Sequence, residues 1–317
     1  MSKKNQTASV VGFSRGDKIF FGCNYVLMAV LALITLYPML YVAFCSFSGP
    51  NEFALVRGLL LRPAGFSLEG YKMVFQMSSI WLGYRNTIMY LALGTLFSMA
   101  MTIMGAFMLS HSDFELKKPA MILIVFTMYF SGGMIPTYLC VNALGLKYTI
   151  WAVLLPGSVS VYNMIVLRTS FNGIPKGLIE SATIDGAGDM VVLFRIVLPL
   201  SLAALATITL FYAVGYWGAW YNAMIYLQKR RDLYPLQLFL RELLILDTGN
   251  EQFLNSMSGT EANRYLVKEI VKYCVIMVAT VPILVVYPFI QKYFVKGVMV
   301  GAMKEESCCT EIPACSQ

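Results

Sequence analysis

Charge is what this sequence has least of. Asp, Glu, Lys and Arg make up 13% of its 317 residues and hydrophobic residues 58%, whereas soluble globular domains carry roughly 25% charged residues. Histidine occurs once, as His111 beside Ser112 and Asp113, so no His–Glu cluster is available for a metal ion, and no nucleophile elbow is found. Neither catalytic nor metal-binding residues are expected. A phosphate loop is also missing. Its nearest spacing, Gly65-Phe-Ser-Leu-Glu-Gly70, is followed by Tyr71 where the motif requires Lys, so this chain is not expected to bind ATP. The longest basic run, Lys229-Arg230-Arg231, is three residues. It does not resemble a nucleic-acid reader despite the net charge of +7. The seven cysteines form no paired framework. Cys23, Cys45, Cys140 and Cys274 lie in or near apolar runs, and Cys308, Cys309 and Cys315 sit in a polar tail. That tail is read as a disordered end rather than a metal or acylation site.

The scarce charges are clustered, and this leaves six uncharged apolar stretches at 19–47, 86–109, 119–139, 149–167, 196–227 and 273–290. A helix needs about 20 apolar residues to cross the hydrocarbon core, so the expectation is an all-α integral membrane protein with six transmembrane helices. The first stretch is too long for a signal-peptide core and lacks a small-residue cleavage site; it is read as a retained span, with Pro38 as a kink. The middles of the spans hold no ionisable side chain, which argues against the main alternative, a secondary carrier or channel acting without an ATPase. If transport is active, the energy must come from a partner.

The segments follow from these stretches: a tail at 1–18, a first span at 19–47, an external loop at 48–83, a five-helix core at 84–291 and a tail at 292–317. Within the core, 228–272 reads as an external amphipathic segment. Ser131-Gly132-Gly133 with Pro136 is expected to break or end the third span. Lys and Arg divide evenly, 12 of 24 on each side, so positive charge alone does not orient the chain.

The most informative stretch is a loop at 172–195. Pro175 suits the first turn of a short helix, with Ile179, Ala182 and Thr183 on one face. Gly186 is expected to end that helix in a left-handed cap and Asp189 to cap the next. Glu180-Ser181-Ala182, then Gly186, then Ile196-Val197-Leu198-Pro199 resembles the Glu-Ala-Ala loop of bacterial ABC importer membrane subunits, spacing for spacing. Ser181 replaces the usual Ala, and Ala203 stands where many relatives carry a second Pro. Ile135-Pro-Thr-Tyr-Leu139, Leu155-Pro-Gly157 and the ending Tyr287 to Lys304 resemble carbohydrate permeases of the MalG-like type. The stretch Asp232 to Arg241 is more like their LplC/YtcP oligosaccharide branch.

The resemblance implies a type-1 ABC importer transmembrane domain in the bacterial cytoplasmic membrane, surrounded by lipid, with both termini cytoplasmic. It implies that Glu180, Ser181, Ala182, Asp185 and Gly186 form a cytoplasmic coupling helix docking on an ATPase. It implies contact of Gly301, Ala302 and Lys304 with that ATPase. The expected partners are a second, MalF-like permease, two ATPase subunits carrying ATP and Mg, and an extracytoplasmic sugar-binding protein; this chain itself needs no cofactor. The aromatic fifth span, with Tyr212, Tyr216, Trp217, Trp220 and Asn222, is either a path for the oligosaccharide or interhelix packing within an interfacial belt.

Overall fold

The computed structural model describes residues 15–56, 58–111, 116–246 and 261–302. Among them there are helices and turns and no strand; one isolated bridge joins Ser48 and Phe66. Backbone contacts divide the chain into two units, Met1–Met73 with Gly259–Met277, and Val74–Ser258 with Val278–Gln317.

In the first unit, the helix Arg15–Ser46 runs for 32 residues through Pro38, and its apolar side chains are exposed along most of its length. The loop that follows folds on itself. The Ser48 hydroxyl donates to the Phe44 carbonyl at 2.7 Å and accepts from the Ala64 N–H at 3.0 Å, and Phe47 stacks on Phe66 with centroids 5.9 Å apart.

The second unit is built on the helix Ser78–Ser110. It packs against Leu202–Trp217 and Val161–Asn172, and small and hydroxyl residues (Gly94, Thr95, Ser98, Thr102, Ala106) face that contact as buried positions. Small residues allow close helix approach where lipid offers no hydrophobic gain. At Gly94 the fit is closest, since a Cβ there would stand 2.5 Å from the Tyr216 ring.

Three helices are long and apolar enough to cross a membrane without interruption: Gly16–Ser46, Ser78–Ser110 and Val267–Val286. Two more stretches qualify as bent pairs. Lys117–Tyr129 and Met134–Ala143 meet at 114°, across the expected break at Ser131-Gly132-Gly133, where Gly133 has φ 83°. Asp189–Leu200 and Leu202–Trp217 meet at 87°. The stretch at 196–227 is therefore not one helix. It turns at Ser201, just after Pro199, which cannot donate to the preceding turn, and it stops again at Gly218 before a short helix Tyr221–Tyr226. The stretch at 149–167 is likewise divided into Trp151–Leu154 and Val161–Asn172. Pro156 and Gly157 (φ 81°) interrupt it, and the Ser160 hydroxyl restarts the helix by accepting from the Asn163 N–H at 3.3 Å.

Candidate functional site

The loop after Val161–Asn172 forms two short helices, Lys176–Ile184 and Asp189–Val192. Pro175 stands at the N-cap rather than in the first turn. The first helix ends in a left-handed turn. Gly186 has φ 84°, the Ala187 N–H donates to the Ala182 carbonyl at 2.9 Å, and the Gly186 N–H donates to Thr183 at 3.0 Å. This is the Schellman pattern, in which a residue without Cβ relieves the strain of positive φ. Asp189 is not the cap of the second helix. Gly188 holds that position, and Asp189 lies in the first turn with an oxygen 3.8 Å from His111 Nε2.

The loop is anchored on one side only. Ile179, Ala182 and Ala187 pack against a core containing Leu109, Leu167, Phe171, Leu193 and Val197. Thr183 does not share that face. It is exposed, and its hydroxyl is turned back to the Ile179 carbonyl at 2.9 Å. Glu180, Ser181, Asp185 and Gly186 face solvent. So does Ile184, at 86% exposure. Basic side chains secure the neighbouring helix end. Lys117 Nζ donates to the Ser110 and His111 carbonyls at 3.3 Å, and Arg168 Nε donates to Leu109 at 3.0 Å. These carbonyls lack partners within their own helix. Below the loop, Leu193–Val197 is a turn of π-helix, so the connection into Leu202–Trp217 is not a plain α-helix.

The aromatic residues of the fifth stretch separate into two groups. Tyr212, Tyr216 and Asn222 line a cleft of about 530 Å³ together with Ser160, Asn163 and Phe211. Trp217 and Trp220 are not in its lining. Trp217 packs edge-on to Tyr84, with its indole N–H buried and without a hydrogen-bond partner among the described residues. Trp220 lies under the Arg241 guanidinium at 5.0 Å. A second cleft of about 410 Å³, lined by Thr137, Tyr221, Asn222 and Tyr226, shares Pro156, Gly157 and Asn222 with the first. The two tyrosine hydroxyls are already engaged. Tyr212 is bonded to Thr102 Oγ1 at 2.7 Å and accepts from the Ser160 N–H at 3.0 Å. Tyr216 is bonded to Ser98 at 2.9 Å and donates to the Leu154 carbonyl at 3.3 Å. They fix the Pro156–Gly157 break to the helix pair, and Tyr212 is itself buried in the core between those helices.

Three residues of Ser78–Ser110 that sequence reasoning does not single out are Asn86, Thr87 and Tyr90. They hold the segment after residue 228. The Asn86 side-chain amide donates to the Asp232 and Tyr234 carbonyls at 2.8 and 3.0 Å, the Tyr90 hydroxyl donates to Leu233 at 2.8 Å, and Thr87 Oγ1 accepts from the Leu236 N–H at 2.9 Å. A polar cluster inside an uncharged span is the one signal of them in the sequence. Gly301 and Ala302 end the helix Glu261–Ala302; Lys304 lies outside the described residues.

This arrangement has close counterparts in known proteins. The polygalacturonan/rhamnogalacturonan transport system permease protein YtcP of Bacillus subtilis (strain 168) is 40% identical over 289 residues, covering 91% of this chain and 99% of its own. The chain belongs to the carbohydrate ABC importer permeases. Protein LplC of the same organism is 37% identical over 292 residues, 92% of this chain and 97% of its own. The crystal structure of a bacterial ABC transporter involved in the import of the acidic polysaccharide alginate contains a chain with TM-score 0.81 and 33% identity, matched over 89% of this chain and 99% of that one. No family model matches the chain. As a member of this permease family, the chain is a membrane transporter subunit and not an enzyme, and ATP hydrolysis belongs to a separate chain.

Proposed function

We propose that this permease passes an oligosaccharide across the bacterial cytoplasmic membrane by alternating access, with both termini and the 172–195 loop on the cytoplasmic side. The relatives named for polygalacturonan/rhamnogalacturonan and alginate transport support the substrate class. The chain would cross six times: three continuous helices, two bent pairs, and the divided stretch that ends at Asn172. Both termini then lie on one side, together with Lys117, Arg168, Lys176 and Arg195.

The observation that carries the coupling role is the one-sided anchoring of the loop. Glu180, Ser181, Asp185 and Gly186 are presented to solvent, while Ile179 and Ala182 bind the helices beneath. Such an element can be pushed from outside and transmit displacement inward. The partner ATPase, with ATP and Mg, supplies the energy. Its closure would move this loop, and the π-turn at Leu193–Val197 and the elbow at Ser201 would deliver that motion to Leu202–Trp217. The partners are a second, MalF-like permease, two copies of the ATPase and an extracytoplasmic sugar-binding protein, and the tail containing Gly301, Ala302 and Lys304 completes the ATPase contact. The cleft walled by Tyr212, Tyr216 and Asn222 would form part of the sugar path. Trp217 and Trp220, close by in sequence, would belong to the same path.

Reconstitution tests this reading. The chain, purified with its associated subunits and supplied with the binding protein, is expected to take up oligosaccharide into liposomes only with ATP and Mg. Uptake by the chain alone, without ATP, would restore the secondary carrier.

A further inference from the structure

Behind the Tyr226 wall of the second cleft lies a cationic cluster that coupling and packing leave unexplained. Tyr226 forms part of its wall, and Tyr138 stacks on Tyr226 with centroids 6.0 Å apart and planes within 10°. Lys147 donates to the Tyr138 hydroxyl and lies 5.0 Å from the centroid of that ring. The Tyr148 ring gathers two ammonium groups, Lys147 at 5.1 Å and Lys229 at 5.7 Å. Two like charges around one ring repel each other, and cation–π attraction at exposed sites offsets only a small part of that repulsion.

Neither lysine has a carboxylate partner among the described residues. The nearby acids are taken: Asp232 is held by Arg230 at 2.8 Å, and Glu242 by Arg231 at 3.7 Å. Lys229 is thus the member of the Lys229-Arg230-Arg231 run left without one. The Tyr138 hydroxyl, accepting from the ammonium, raises the Lys147 pKa above its ordinary value.

The backbone is also strained to make this cluster. Tyr148 is the single non-glycine residue with positive φ among the described residues, at 67°, a conformation that disfavours a bulky side chain. It is held there by its N–H, which donates to the Tyr226 carbonyl at 3.1 Å. Strain kept by its surroundings clusters at functional contacts, and here it sits one residue contact from the cleft wall, at Tyr226.

We propose that Lys147 and Lys229, set around Tyr148 and Tyr138, bind the carboxylates of an acidic oligosaccharide as it enters the cleft at Tyr226. The proposal rests on the importer reading above and deepens it to an acidic sugar class. The ammonium groups supply charge-assisted hydrogen bonds, and the tyrosine rings supply flat apolar faces for the sugar.

The test uses the complete complex in proteoliposomes with its binding protein. Uptake is measured for trimers of galacturonate and mannuronate and for neutral glucan and arabinan trimers. The wild type is expected to import an acidic trimer. K147Q/K229Q is expected to raise its KM about tenfold with kcat held, equivalent to about 1.4 kcal/mol, and K147R/K229R to restore it. The proposal is overturned by import of neutral trimers only, or by an equal fall in kcat and in complex yield that arginine does not rescue. It is also overturned if the glutamine pair weakens binding-protein docking in the absence of sugar, because the surface would then serve that partner. A wild type that imports no trimer of either class with ATP removes the importer reading itself.

Discussion

At the scale of single residues, the side chains that matter most are polar groups buried where the sequence is otherwise apolar. Asn86 is 1% exposed and donates twice to backbone carbonyls more than 140 positions away in the chain. Replacing it by Ala leaves both carbonyls unpaired. An unsatisfied buried polar group costs about 1–3 kcal/mol, so Asn86→Ala is expected to lower the melting temperature of the purified complex. The same variant is expected to open the 231–241 segment to protease. An unchanged melting curve and digestion pattern would show that these bonds carry little. This role is not legible in the sequence, because an Asn in a span has many available partners and nothing local names the one used. Gly186 is legible, because a left-handed helix end depends on the residue itself and its immediate neighbours, and glycine is the residue that adopts that conformation without strain.

At the scale of elements, legibility follows the same division between local and distant causes. Ser131-Gly132-Gly133 with Pro136 announces a break, and the chain bends there by 114°. The elbow at Ser201 has one local sign, Pro199, which an apolar average over 196–227 conceals, and the π-turn before it leaves no compositional mark. The break in 149–167 has a local sign, Pro156-Gly157, which an unbroken apolar average conceals. Asp189 reads as a cap because Asp is a good capping residue, yet the backbone enters the helix one residue earlier, at Gly188.

Helix contact gives a prediction of its own. Gly94 lets Ser78–Ser110 approach the Tyr216 ring, and any side chain there would overlap atoms 2.5–2.7 Å away. Gly94→Val is therefore expected to separate Ser78–Ser110 from Leu202–Trp217, with a loss of about 1–3 kcal/mol for overpacking and disturbance of the Ser98–Tyr216 bond. Thermal unfolding of the complex in detergent measures this, and Gly94→Val with wild-type stability would argue that the close fit is absent in the membrane.

At the scale of the whole molecule, the chain contributes a set of interrupted helices and a loop held from one side, and the energy comes from elsewhere. The missing phosphate loop means that, if transport is active, its energy must come from a partner, and the spacing from Glu180 to Pro199 resembles the loop through which such permeases meet their ATPase. The fold class follows from the apolar stretches. The loop's solvent-facing residues follow from a fixed spacing, Glu180 to Gly186 to Pro199. Packing of the clefts does not follow, since Tyr212 and Tyr216 share one helix with Trp217 and only tertiary contacts decide which of them face the open space.

The most direct measurement is affinity purification of this chain from its native membranes, wild type beside Glu180→Arg, with mass spectrometry of the associated proteins. The wild type is expected to bring a second permease and an ATPase. Reversing the charge at Glu180 is expected to release the ATPase while keeping the permease, since loss of one partner in an interfacial charge pair typically costs about 2–5 kcal/mol. Retention of the ATPase by both forms would contradict the coupling role assigned to Glu180, and a wild-type chain that purifies with neither protein would contradict the account as a whole.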